Sequence, residues 1–401
     1  MTLSLKDRDI IVMSSDWNRF PGSVQHVVEV LAKVNRVLWV SGIPIRPPRL
    51  RWGDLRRILD KGRKMLATSV NADAPKLPVR EVHPLFIPYY DVPWIRGLND
   101  RLLRNLLAGM IRDLGFSDFI VLASNPMTAG VVGTLGETSA HYLCIDDYAA
   151  NKGTFRCLGE LELNMLRKVD SSWSMSDVLL KSRIPRSGEN HFFPEGVDID
   201  HFRLTEGPVP DALRDIKKPI VGYCGLLAWW VDLDLIARSA RAYPDVSFVI
   251  IGEAKTDVSI LKREPNVFLL GHIPYAVLPR YMESFHVGLI PRHINRLTVA
   301  MNPLKLLEYL AMGMSVVSSN LPEVRKFGHG VFVARDKEQF VKFVGEALSD
   351  TSAEGREMRT AIARRFSWHS VAEELGKVIQ QVEAKKRATG SRTPLPLQPG
   401  R

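Results

Sequence analysis

"MNPLKLLEYLAMGMSVVSSNLPEV", residues 301–324, sets the frame for the whole chain. Asn302 reads as a helix N-cap and Pro303 as the first helical residue, a strong start signal. Leu304, Leu307 and Ala311 recur on one side at helical spacing. Gly313 ends the helix, and "SVVSS" reads as a short buried strand. Glu308 stands at i+4 from Leu304 and so points where the leucines point. A buried carboxylate costs several kcal/mol unless something pairs with it, so Glu308 requires a partner from the protein or from a ligand.

The same helix-then-strand step recurs outward from this stretch. In the first half, strands are predicted at 9–15, 36–42, 119–124, 141–147 and 171–176, with amphipathic helices such as "VQHVVEVLAKV" between them. In the second half they are predicted at 219–225, 247–252, 267–271, 286–292 and 315–319. This β-α-β alternation predicts an α/β chain of parallel sheets covered by helices. It pauses at "RLTEGPVPDALRDIKKP" (203–219), rich in proline and charge, which reads as a linker between two Rossmann-like, doubly wound domains, 1–205 and 206–366. The last residues, 387–401, read as a disordered tail. In open parallel sheets ligands sit beyond the carboxyl ends of the strands, so the residues after each strand are the candidates for chemistry.

The chain has 401 residues, with 45% hydrophobic and 24% charged residues, ordinary values for a globular protein of two domains. No apolar run approaches the roughly 20 residues of a membrane-spanning helix. The start, "MTLSLKDRDIIVMSS", does not read as a signal peptide, and three scattered cysteines fit a reduced cytosol rather than a disulfide framework. The net charge of +10 implies an anionic partner. Basic residues interleave with Trp and Leu at 45–64 and 94–115, which read either as solvated helix faces or as helices lying on an anionic membrane surface. No zinc finger, helix-turn-helix or RNP-type strand accompanies the charge, so nucleic acid is not expected.

After the first strand, Asp16, Trp17 and the Pro21-Gly22 turn face the expected ligand side, or form a plain strand-helix connection. After "HYLCI" come Asp146 and Asp147, where one carboxylate suits a helix cap and the other a general base; Asp147 is the better cap. Asp-x-Asp pairs occur at 198/200 and 232/234 and could hold a divalent metal, but a structural reading is preferred, with Asp232 and Asp234 beginning a helix, and no metal is expected. Gly225 and Leu226 lie in a loop suited to close backbone approach to a phosphate. Arg292 and Arg296 lead into the helix that begins at Asn302, with Lys305 in its first turn, so the site reads as a diphosphate cradle. One turn along, Glu308 can accept two hydroxyl hydrogens from a ribose; bonding to backbone amides or an arginine is the alternative.

These segments resemble the GT-B glycosyltransferases, of the family 4 and family 1 kind, that build bacterial surface polysaccharides and teichuronic acids. Residues 301–324 resemble their sugar-nucleotide motif, "FFPEGVDIDHF" (192–202) their interdomain segment, and "VGYCGLLAWWVDLDLI" (221–236) the opening of their donor domain. The resemblance implies a GT-B fold, a nucleotide-sugar donor carrying UDP or GDP, no cofactor, and a C-terminal helix near 367–386 that returns to the first domain. It implies donor contacts at Gly225, Leu226, Arg292, Arg296, Asn302, Pro303, Lys305, Leu306 and Glu308, with Glu308 on the ribose. "CIDDYAA" resembles a segment of the acceptor domain, with Asp146 at the place of a catalytic base. Two departures stand out: Ala300 occupies the place of a first glutamate eight positions before Glu308, and "AWWVDLD" replaces an Arg and Lys pair after the glycine loop. The expected function is sugar transfer to a glycan or lipid-linked acceptor in the cytoplasm at the inner membrane face. A nucleotide-sugar epimerase, a catalytically silent subunit of an assembly complex and a metal-dependent transferase are the rivals.

Overall fold

The computed structural model describes residues 3–17, 22–47, 79–203 and 207–389, and contains two parallel sheets. The first has strands β1 (Asp9–Met13), β2 (Arg36–Val40), β3 (Val79–Val82), β4 (Phe119–Ala123), β5 (Ser139–Cys144), β6 (Ser171–Ser174) and β7 (Asn190–Phe192). Their order is β3-β2-β1-β4-β5-β6-β7. The second has β8 (Ile220–Cys224), β9 (Ser247–Ile251), β10 (Val267–Gly271), β11 (Val287–Ile290), β12 (Ser315–Ser319) and β13 (Phe332–Ala334), in the order β10-β9-β8-β11-β12-β13. Strands β1, β4, β5, β8, β9, β11 and β12 are buried along their whole length, as sheets covered on both faces require. In each sheet the direction of winding reverses beside the first strand, between β1 and β4 and between β8 and β11. That reversal opens a crevice at the carboxyl edge, where ligands of such sheets bind.

The ten predicted strands are present. The three that the sequence hid, β3, β7 and β13, are all edge strands of three or four residues. Edge strands bury less surface and tolerate polar residues, as in "VREV" and "NHF", so the apolar signal is weak there.

The chain divides into two compact units: 1–175, 179–193 and 372–401 in one, 176–178 and 194–371 in the other. The change therefore falls at Pro194, ahead of the proline-rich stretch expected to hold the 205/206 boundary. Its physical basis is Val197 and Phe202, both 1% exposed in the core of the second unit. The final helix, Trp368–Ala388, extends through 387 and 388, which the sequence places in the tail; residues 390–401 lie outside the described residues.

From Ala372 onward that helix belongs to the first unit. Glu383, 4% exposed, accepts from both terminal guanidinium nitrogens of Arg8 at 2.9 Å and from the Ser139 hydroxyl at 2.8 Å. Gly376 lies against Leu5, where an added Cβ would stand 2.9 Å from the leucine Cβ. His141 on β5 lies in the same buried layer, its ring nitrogens 2.7 Å from Ser171 Oγ and 3.0 Å from Ser139 Oγ. Burial pushes its pKa down from 6.5 to about 4, against the attraction of Asp170 and Glu383.

Between those two values the unfolded chain binds a proton that the folded chain refuses, so stability falls as pH drops through that window. At about 1.4 kcal/mol per unit, His141 removes about 3 kcal/mol between pH 7 and 4. Urea unfolding at several pH values should show this loss, and His141→Gln should remove it while leaving the steeper carboxylate losses at lower pH.

Candidate functional site

In the second unit, the carboxyl ends of three strands are drawn together by glycines. Gly225 N donates to Ile251 O at 2.9 Å, and Gly252 N donates to Gly271 O at 2.7 Å. Gly252 has φ +145°, and a Cβ there would stand 1.9 Å from the Gly225 carbonyl oxygen. Only glycine satisfies both the angle and the approach. Gly252 was missed in the sequence, although "GYCG", "VIIG" and "FLLG" each end a strand with glycine. Leu226 follows Gly225 with about a third of its surface exposed.

The helix that carries Glu308 spans Leu304–Ala311. Its N-cap position is held by Pro303, not Asn302, and no side chain caps it. The expected start is thus one residue early: Pro303 has ψ 107°, outside the helical range, and Asn302 stands before it. The capping signal belongs instead to the preceding turn, where Asn295 and Thr298 form a capping box for the short helix Arg296–Val299. Arg296 is exposed at its first position, and Ala300 is fully buried just after it. Leu306, Leu307, Tyr309 and Leu310 are all buried, so the helix is embedded nearly all round rather than on one face. It ends at Met312 with Gly313 at φ 73°, as the sequence indicated.

Glu308 is 1% exposed and forms an ion pair with Lys305 one turn earlier. The Lys305 ammonium also lies 5.9 Å from the Phe202 ring centre. Next to the pair, Tyr309 Oη accepts the Cys224 backbone N–H at 2.8 Å, which ties the helix to the end of β8 beside Gly225. Burial raises the Cys224 thiol to about 12, while Lys305 and Glu308 act on it in opposite senses. The thiol is therefore no nucleophile at neutral pH. Gly225, Lys305 and Glu308 accordingly gather around one strand end.

Arg292 sits after β11, its N–H donating to Ser319 Oγ at 2.9 Å. Together with Asp232, His293, Asn320 and Lys337 it lines a cavity of about 200 Å³ at the ends of β11, β12 and β13. Asp232 faces Lys337 Nζ at 3.3 Å and His293 Nδ1 at 3.4 Å, and Asp234 meets Arg238 at 2.7 Å and Lys337 at 2.9 Å. Lys337 thus bridges both carboxylates, while Asp232 Oδ1 is buried with no hydrogen-bond partner. Among the described residues no three His, Cys, Asp or Glu side chains converge on a metal position.

In the first unit, Asp146 and Asp147 follow β5. Asp146 Oδ2 accepts from Asn151 Nδ2 at 2.9 Å, while Oδ1 is buried with no hydrogen-bond partner. Burial raises its pKa above the usual carboxylate value. Asp147 precedes the short 3-10 turn Tyr148–Ala150 but makes no side-chain cap bond. It accepts instead from Arg183 Nη2 at 2.9 Å, and Arg183 Nε reaches Glu162 at 3.1 Å, which in turn accepts from Tyr142 at 2.8 Å. An arginine between two carboxylates has no local sequence signal, since the partners are far apart in the chain. After β1, Trp17 N donates to Glu81 at 3.2 Å and its ring meets Trp39 edge-on at 4.6 Å. Asp16 is half-buried beside it, and Gly22 stands in extended backbone before the helix Ser23–Leu31; Pro21 lies outside the described residues. Ser124 Oγ donates to Ser14 Oγ at 2.7 Å, linking the ends of β4 and β1.

Residues 218–350 match the family described as glycosyl transferases group 1. A putative teichuronic acid biosynthesis glycosyltransferase, TuaH of Bacillus subtilis (strain 168), is 29% identical over 230 residues. The match takes in 54% of this chain and spans 58% of the length of that relative. Sucrose-phosphate synthase from Thermosynechococcus elongatus superposes with a TM-score of 0.68 at 14% identity, covering 94% of this chain and 100% of that one. Anabaena HepE in complex with UDP superposes with a TM-score of 0.64 at 13% identity, covering 93% and 100%. HepE in complex with UDP-glucose gives 0.62 at 13% identity, covering 93% and 99%. The chain has the GT-B fold, and the residues that match the glycosyl transferases group 1 family all lie in its second unit.

Proposed function

We propose that this protein transfers a sugar from a nucleoside-diphosphate sugar to a hydroxyl of a glycan or lipid-linked acceptor in surface polysaccharide synthesis. The observation that carries the reading is the buried Glu308–Lys305 pair beside the end of β8, within the residues that match the group 1 family. UDP is the favoured nucleotide, supported by the UDP and UDP-glucose bound in the HepE structures. A ribose diol donates to Glu308, and the Lys305 ammonium, with three N–H donors, turns to a phosphate oxygen. Backbone amides at the start of the Leu304–Ala311 helix complete the cradle for the leaving diphosphate, and the strand-end glycines, their own N–H groups bonded within the sheet, leave room for it. Asp146 takes the proton from the acceptor hydroxyl, its raised pKa bringing it closer to the working pH. Asp147 is held by Arg183 and supports the turn that presents Asp146.

The acceptor is met at an anionic membrane surface, through the basic segments 45–64 and 94–115 and on the cytoplasmic side. Residues 48–64 lie outside the described residues, and 94–115 falls on the helix Pro93–Leu114. Among the described residues no helix is long and apolar enough to cross a membrane, which suits attachment at the surface. One observation favours a second reading, a catalytically silent nucleotide-binding subunit: Ala300 is buried where a carboxylate could otherwise serve.

Calorimetry with UDP, GDP, dTDP and CMP should show one nucleoside diphosphate binding. Glu308→Gln should weaken it about 10- to 100-fold, the loss of a charge-assisted hydrogen bond. If none binds the folded protein, the donor site is elsewhere. Asp146→Asn should retain nucleotide binding but lose at least about 100-fold in transfer of labelled sugar from a UDP-sugar pool to bacterial membrane lipid. The acid limb of the wild-type rate should lie above the usual carboxylate range. Nucleotide binding with no transfer by the wild type selects the silent-subunit reading.

A further inference from the structure

The helix Pro93–Leu114 buries Ile95, Asn99, Leu103 and Leu107 on one side. On its flank, residues four apart form a second row: Trp94, Leu98, Leu102 and Leu106. Trp94 is 70% exposed, Leu102 45% and Leu106 37%, and Leu98 is half-buried. The connector before the helix adds Leu85 at 66% and Tyr89 at 56%. That connector is fixed to the helix by Asn99, which exchanges two hydrogen bonds of 2.9 Å with the backbone of Ile87. A continuous apolar row of this size on a surface marks an interaction site.

The charges nearby select the partner. Arg101 is exposed at i+3 from Leu98, and Arg112 is exposed beyond Leu106. Between Trp94 and Leu106 the one acid is Asp100, which turns inward: a Cβ on Gly130 would stand 1.9 Å from its carboxylate oxygen. Of the exposed acids nearby, Asp91 accepts the Cys157 N–H at 2.9 Å and Glu160 faces Arg96 at 3.5 Å. Asp113, exposed, lies past the end of the row. A second copy of the chain would bring arginines against arginines. An anionic bilayer takes the apolar row into its headgroup boundary and places lipid phosphates beside the arginines.

We propose that the Trp94–Leu98–Leu102–Leu106 row is the edge that inserts in-plane into an anionic lipid surface, with Trp94 at the headgroup level. This rests on the membrane-surface reading above and gives it a place in the fold. The row lies in the first unit, while the Glu308–Lys305 pair belongs to the second, so lipid binding and nucleotide binding are separately readable.

The test is sedimentation of the full-length protein with phosphatidylcholine vesicles, with and without phosphatidylglycerol, at low and high salt. Wild type should bind only the phosphatidylglycerol vesicles, and less in high salt. Trp94→Ser/Leu102→Ser/Leu106→Ser should lower the partition coefficient at least about tenfold while UDP binding and thermal unfolding stay unchanged. These positions are exposed, so the variant keeps its core. Equal vesicle binding by the variant overturns the row but spares the membrane reading. No vesicle binding by wild type overturns both, leaving the nucleotide reading to its own test. A wild-type dimer in solution that the variant loses, without vesicle binding, assigns the row to contact between copies and overturns the proposal.

Discussion

A carboxylate that is 1% exposed must be neutralised within reach of its own oxygens, and Glu308 meets that demand with Lys305 on the same helix. Because the charge is settled inside one turn, the helix can sink into the sheet on nearly every side. Tyr309, the next residue, then comes close enough to β8 to accept the Cys224 N–H. The same depth explains Gly288 on β11, where a Cβ would stand 2.6 Å from the Tyr309 ring. Take away Lys305 and the helix carries a bare charge into the core, a cost of about 3 to 5 kcal/mol for a broken buried pair. Local sequence, packing and the shape of the strand ends thus all turn on one ion pair.

The first unit meets comparable demands by different means. Its buried layer under the C-terminal helix joins the Arg8–Glu383 pair to hydroxyls and a neutral imidazole, and its turn after β5 is braced by Glu162, Arg183 and Asp147. In that turn every carboxylate but one is matched by a cation. Asp146 alone keeps an oxygen without a partner, and an unsatisfied buried acceptor is costly enough to need a reason. A role in proton transfer supplies one, which is why Asp146 rather than its neighbour carries the base in the proposed mechanism.

Most of the strands that were legible are fully buried, and the half-buried edge strand β10 was legible because "VFLLG" is apolar throughout. Strands such as "FIVLA" and "SFVII" are apolar from end to end and could be placed within a residue or two. Edge strands β3, β7 and β13 were not, because half-exposed segments are free to be polar. Within the site, Glu308 was legible because a charge broke an apolar pattern, and Gly313 because helices end that way. Asn302 misled, since the capping signal lay seven residues earlier at Asn295. Arg183 and Lys337 could not be found at all: each meets its carboxylates across distant parts of the chain, and no spacing encodes that.

The pair at Glu308 also bears on selectivity. Of the three cations that the sequence offered for a diphosphate, Arg296 is exposed on a one-turn helix, and Arg292 lines a cavity with Asp232 and Lys337. Lys305 is the one held beside the buried carboxylate. A lysine already paired with a glutamate presents little net charge, so a bare phosphate gains little from approaching it. A ligand that brings hydroxyl donors for Glu308 together with oxygens for Lys305 satisfies both halves at once and leaves neither charge alone in the core. In the proposed function, the internal ion pair therefore favours a molecule that carries ribose hydroxyls together with a phosphate over bare phosphate.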